Sequence, residues 1–119
     1  MTALKIVNKA LALLGYSDSN NNMDLTRRVL SRALPLTNLV YSDMCRICET
    51  KFSEIETLND EISLPDKAYD IMACGLASYI AGAESDDFLQ SLWSAEYQQR
   101  RTTLSRLTEY EDVLPTPED

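Results

Sequence analysis

Three cysteines are the most chemically distinctive side chains in this 119-residue chain: Cys45 and Cys48 form a C-x-x-C, and Cys74 stands alone. A structural zinc site takes four ligands, usually two such pairs or cysteine with histidine, and the sequence contains no histidine. A redox pair needs its first cysteine at a helix N-terminus, where the dipole lowers the thiol pKa. Here the pair falls well inside a helical stretch, so small apolar packing is the expected role. An odd, small cysteine count fits free thiols in a reducing compartment.

Carboxylates come in pairs: Glu54 with Glu56, Asp60 with Glu61, Asp86 with Asp87. General acid–base work needs two carboxyls in contrasting environments, and these pairs fall in loops or at helix caps, where water keeps them ordinary. Without histidine, Ser-His-Asp and Cys-His arrangements are excluded. Neither G-x-x-x-x-G-K-[ST] nor G-x-G-x-x-G occurs. The expectation is a chain with no enzymatic activity, no metal and no cofactor.

Two basic clusters remain. Arg27, Arg28 and Arg32 lie together, and Arg100 and Arg101 lie near Arg106. Either cluster could meet phosphate, or the acids of a neighbouring subunit. The charge around them is uneven. Residues 1–35 carry five basic and two acidic groups, the remaining 84 carry six and seventeen, and the net charge is −8. Such a chain repels nucleic acid over most of its surface. Its acidity serves solubility and would suit a basic partner surface. Trp93 and Tyr97 share a helix face with Leu89, as core or as interface anchors.

The elements that hold these groups are helical. Ala3, Ile6, Val7, Ala10, Leu11 and Leu14 recur at helical spacing, with Thr2 as a cap and Gly15 as a stop. Residues 16–24, YSDSNNNMD, form a polar loop. A second helix is predicted from Asp24, its cap, to about Phe52, with a stripe of Val29, Leu30, Ala33, Leu36, Val40, Met44 and Ile47. Pro35 lies within it, so the helix is expected to kink or to split in two there. Residues 53–63 read as an acidic connector with a short extended piece at 61–63.

The third helix, from Leu64 or Pro65 to about Ala83, is apolar around most of its circumference. It is predicted to be the central helix, its small residues letting neighbours approach. The fourth, from about Asp86 to Tyr110, has Ser85 as its hydroxyl cap. Its expected buried stripe is Phe88, Leu89, Leu92, Trp93, Tyr97, Leu104 and Leu107. The fold prediction is therefore all-α, a compact bundle of four principal helices over residues 1–110. Residues 111–119, EDVLPTPED, follow as a flexible acidic tail. No apolar run is long enough to span a membrane.

Three segments, in order, carry a resemblance: N-K-A-L-x-x-L-G at 8–15, N-L-V-Y-x-D at 38–43, and L-P-D at 64–66 before G-L-A-x-x-x-A at 75–81. Over roughly residues 3–107 the chain resembles the small all-α head–tail connector proteins of tailed bacteriophages and prophages, also called adaptor or head-completion proteins. The resemblance implies a non-enzymatic virion protein, assembled in the bacterial host cytoplasm. It implies homo-oligomeric rings at the portal vertex, joining the DNA-filled head to the tail. The implied partners are the portal and a tail or stopper protein. The resemblance implies no membrane partner and no sequence-specific nucleic acid, although DNA would pass through the ring channel. Subunit or portal contacts are expected at Arg27, Arg28, Arg32, Arg100, Arg101, Val113 and Leu114. Rings require unlike faces to meet, and the basic first part and acidic remainder would allow that. The competing expectation is a small helical DNA-binding or regulatory module using Arg27, Arg28 and Arg32.

Overall fold

The computed structural model describes the backbone of residues 1–16 and 23–113, and the side chains of 1–16 and 27–106. Four helices account for nearly all of it: α1 (Ala3–Leu14), α2 (Met23–Cys48), α3 (Asp66–Ala83) and α4 (Asp87–Val113). The chain is all-α, as predicted. Among the described residues, extended pairing is confined to one antiparallel bridge, Thr2 with Glu61.

The caps explain most of the boundaries. Thr2 accepts a hydrogen bond from the Lys5 amide through Oγ1 at 3.3 Å. Gly15 closes α1 in the left-handed conformation, φ 74°, so that Tyr16 N donates to Leu11 O at 2.9 Å. The same reverse turn closes α2 and α3 without glycine: Glu49 has φ 57° and Ser85 has φ 59°. Thr50 N then donates to Cys45 O, and Asp86 N to Ala81 O, both at 2.9 Å.

Several expected boundaries shift. Asp24 falls inside the first turn of α2 rather than capping it. The turn at Glu49 ends α2 at Cys48, four residues before the predicted Phe52. Pro65 is the N-cap of α3, not its first helical residue. Ser85 belongs to the end of α3, and the cap of α4 is Asp86, whose Oδ1 accepts from Leu89 N at 3.1 Å. Residues 111–113 continue α4, so the helix runs three residues beyond the predicted Tyr110; Leu114 to Asp119, the rest of the predicted tail, lie outside the described residues.

Pro35 does not split α2, which is one helix on both sides of it. Its ring is exposed, while Val29 and Ala33 before it and Thr37, Val40, Tyr41 and Met44 after it are buried in one core. Packing on both sides keeps the helix continuous through Pro35, which supplies no main-chain N–H of its own.

Helix α3 is central, touching α1, α2 and α4. Ile71 through Ser78, with Ala68, Ile80 and Ala81, are buried. The small residues do what their size allows. A Cβ on Gly75 would stand 2.7 Å from the Tyr97 ring, and one on Gly82 2.8 Å from the Gln90 amide. All six apolar positions expected on α1 are buried. On α2, Leu30 and Leu36 are only partly covered.

The segment from 49 to 65 is fixed by side chains reaching its backbone. Asn38 donates to Ile55 O at 3.0 Å and accepts from Ile55 N at 2.9 Å. Tyr69 OH donates to Ile62 O at 2.9 Å and accepts from Leu64 N at 3.2 Å. The Tyr41 hydroxyl accepts from Ser63 N at 3.3 Å. Asp60 closes the turn by accepting from the Glu56 and Thr57 amides, which hold its carboxyl below the usual range.

Candidate interaction surface

The strongest polar cluster joins α2 to α4. Asp43 lies one turn from the end of α2, at an angle where its carboxylate faces α4. Its Oδ2 accepts from Tyr97 OH at 2.5 Å and from Arg101 Nε at 2.6 Å, and its Oδ1 from Arg101 Nη2 at 3.0 Å. Arg46 adds a fourth donor to Oδ1 at 2.6 Å. The Arg101 guanidinium, with Tyr97 and Arg46, holds the Asp43 carboxyl far below the usual carboxylate range, although partial burial pushes the other way. Burial, then Asp43 itself, pushes the Tyr97 phenol far above its ordinary value. All the donors converge on one ionised acceptor, as a clasp would, and the phenol is held as a hydrogen-bond donor.

The first basic cluster is partly spent inside the chain. Arg28 grips Glu84 with two hydrogen bonds, 3.1 and 2.8 Å, which lowers the Glu84 carboxyl. Arg32 donates to the Ala83 carbonyl at 3.2 Å. Both act on the C-terminal end of α3, where cations complement the dipole. Arg27 is exposed. Of the second cluster, Arg101 belongs to the clasp, Arg100 bonds Glu96 at 3.1 Å, and Arg106 is exposed. Val113 ends α4, its side chain outside the described residues, as is Leu114.

The cysteines sit at the end of α2 and in α3. Cys45 and Cys74 are buried, Cys48 is partly covered, and none is in a disulfide. Burial pushes the Cys48 and Cys74 thiols up. Cys48 is also at the negative end of a helix dipole, the wrong end for a stabilised thiolate. Among the described residues, no group of three or more His, Cys, Asp or Glu is placed to hold a metal ion.

Exposed apolar side chains mark the outer surface. Phe88 is 76% exposed and Leu92 45%, against the expectation that both are buried. Leu89 and Trp93 are partly covered, Tyr97 and Leu104 are buried, and the Leu107 side chain lies outside the described residues. The reason is geometric. At about 100° per residue, Phe88 lies half a turn around α4 from Tyr97, the residue pressed on Gly75. Helix α4 packs mainly on α3 and at one edge on α2, so its covered arc is too narrow to reach Phe88. Leu39 and Tyr79, also exposed, flank the clasp in a groove with Val40, Tyr97 and Gln98.

A second concavity follows the seam of α1, α3 and α4. It consists of two adjoining clefts of about 580 and 320 Å³ that share Asp70 and Arg100. Lys9, which bonds Asp70 at 3.0 Å, Lys67 and Arg100 stand at the seam, and Ile71, Leu104, Cys74 and Trp93 supply apolar walls.

Asp43 and Asn38, the two residues that tie α2 to other parts of the chain most directly, were not singled out by residue type. Both lie in N-L-V-Y-x-D, but their partners are 17 to 58 positions away, and no local spacing reveals that. The chain matches no protein-family model, no curated protein and no solved structure. No helix among the described residues is long and apolar enough to cross a membrane.

Proposed function

We propose that this chain is a non-enzymatic structural subunit of a phage virion. It forms an oligomeric ring at the portal vertex, with the portal on one side and a tail or stopper protein on the other. The observation that carries the reading is the uncovered apolar arc of α4. A phenylalanine left 76% exposed, with Leu92 one turn away, gains nothing for the isolated fold. Apolar arcs of this kind are covered in assemblies. The ordered resemblance over residues 3–107 supplies the identity of the assembly.

The polar chemistry supports the same reading. Asp43, Tyr97, Arg101, Arg28 and Glu84 are engaged with one another in structural pairs. The motif residues that carry the resemblance also serve the fold: Gly15 ends α1, Asn38 holds the connector, and Gly75 admits Tyr97. A DNA-binding reading loses support because Arg28 and Arg32 are directed at the end of α3.

Light scattering over a concentration series, with and without the cognate portal ring, tests the proposal. A ring-sized species on the portal is the expected result. A chain that stays monomeric in the presence of the portal contradicts it.

A further inference from the structure

We propose that two copies of this chain pair antiparallel through the outer arc of α4, with Asp87 and Phe88 of each copy meeting Arg106 of the other. The inference goes beyond the connector reading, because it concerns the chain free of any portal. Three observations support it.

The first is a second stripe on α4, on the side away from the bundle. Phe88, Leu92, Ala95, Gln99, Thr102 and Arg106 recur at alternating gaps of four and three residues. At about 100° per residue they keep within about 40° of one line along the helix. All six are exposed, and Tyr97, pressed on Gly75, lies on the opposite side. Alternating gaps of four and three are the spacing by which one helix seats another along its length. The stripe therefore fits a helix as its occupant, and α4 of a second copy has the same length and spacing.

The second is the absence of charge along the arc. The first five residues of the stripe are uncharged, and so are their exposed neighbours Ser91, Gln98 and Thr103. The charged side chains between Phe88 and Arg106 are held elsewhere. Glu96 and Arg100 bond each other at 3.1 Å, and Arg101 bonds Asp43. Two copies of net charge −8 repel each other across most faces. A neutral arc about 20 Å long is a face on which they can meet.

The third is the pair of charges that end the arc. Asp87 at its start and Arg106 at its close are exposed, and neither is in an ion pair among the described residues. They stand nineteen residues apart, about 28 Å along the helix axis. An antiparallel copy brings its Arg106 to Asp87 and Phe88 at one end, and symmetry repeats the contact at the other. There the guanidinium can pair with the carboxylate and stack on the ring. A parallel copy would instead set Arg106 against Arg106 and Asp87 against Asp87. The two-fold pair closes on itself, so it is the form of the free chain, and entry into a ring exchanges the second copy for another surface.

Sedimentation equilibrium of the full-length chain without portal tests the pair. The expected result is a monomer–dimer equilibrium with a Kd on the order of 10–100 μM, as suits an interface below standard size. Phe88→Ser, a change at an exposed site, should shift it to monomer while the helical circular dichroism is kept. Asp87→Arg and Arg106→Glu should each weaken the dimer about tenfold or more, and the double variant should restore it. A chain still monomeric at about 1 mM, or a dimer indifferent to Phe88→Ser, overturns the inference. Single reversals that weaken the dimer without rescue in the double variant overturn the antiparallel arrangement. A dimer that adds no tier to the portal contradicts the connector reading alone. A portal tier built by a chain that is strictly monomeric when free contradicts the pair alone.

Discussion

Asp43 holds α2 and α4 together because three hydrogen bonds from Tyr97 and Arg101 of α4 converge on its carboxylate, and its protonation state sets how firmly. Its pKa is depressed in the folded chain, so the stability it contributes is complete above its unfolded value, about 4. That contribution is lost as the pH falls below 4 toward the folded value. Chemical denaturation between pH 7 and pH 2 should therefore show a loss of stability below about pH 4 that is smaller in Asp43→Asn. At neutral pH the same variant should lose about 2 kcal/mol, because Arg101 and the buried Tyr97 hydroxyl lose their charged acceptor.

Gly75 makes a second residue-level prediction. Alanine normally favours a helix by about 1 kcal/mol over glycine, yet here its Cβ would press on the Tyr97 ring. Gly75→Ala should lower the melting temperature, with a cost of about 1–3 kcal/mol. Ser85 gives the opposite sign. Held at φ 59°, it bears a left-handed cost that glycine lacks, so Ser85→Gly should raise stability by about 0.5–1 kcal/mol in thermal melts. Composition and local pattern anticipated Gly75 as a close-packing position. They could not place Ser85, because a hydroxyl before two aspartates looks like a cap whether or not the preceding helix has already ended.

At the scale of elements, periodicity located the helices and misjudged what covers them. The stripe of α4 is real as a spacing, but α4 is peripheral, and only the arc around Tyr97 and Leu104 meets the core. Central α3 read correctly because an apolar surface on nearly all sides has one solution, burial on nearly all sides. Of the two outcomes Pro35 allowed, the split did not occur: a helix-breaking residue costs little on an exposed face when both flanking turns are packed. Two outcomes follow. Phe88→Ser should leave the melting temperature of the isolated chain nearly unchanged, within about 0.5 kcal/mol, as for exposed sites generally. Asn38→Ala should unfasten the connector by orphaning both main-chain groups of buried Ile55. The cost should be about 1–3 kcal/mol, and hydrogen exchange at the Ile55 amide should accelerate.

At the scale of the molecule, the sequence made the all-α architecture and the position of its central helix legible, because each amphipathic segment allows few arrangements. The long-range polar ties were not legible, since the residues they join are ordinary at each end and meet only in the folded chain. The same holds for the surface. An exposed Phe88 becomes an assembly argument only once the fold shows how little of α4 the rest of the chain covers. Electron microscopy of the full-length chain mixed with its cognate portal rings tests that account most directly. The predicted result is a closed additional tier stacked on the portal. Portal rings left bare at saturating concentrations of the chain would contradict it.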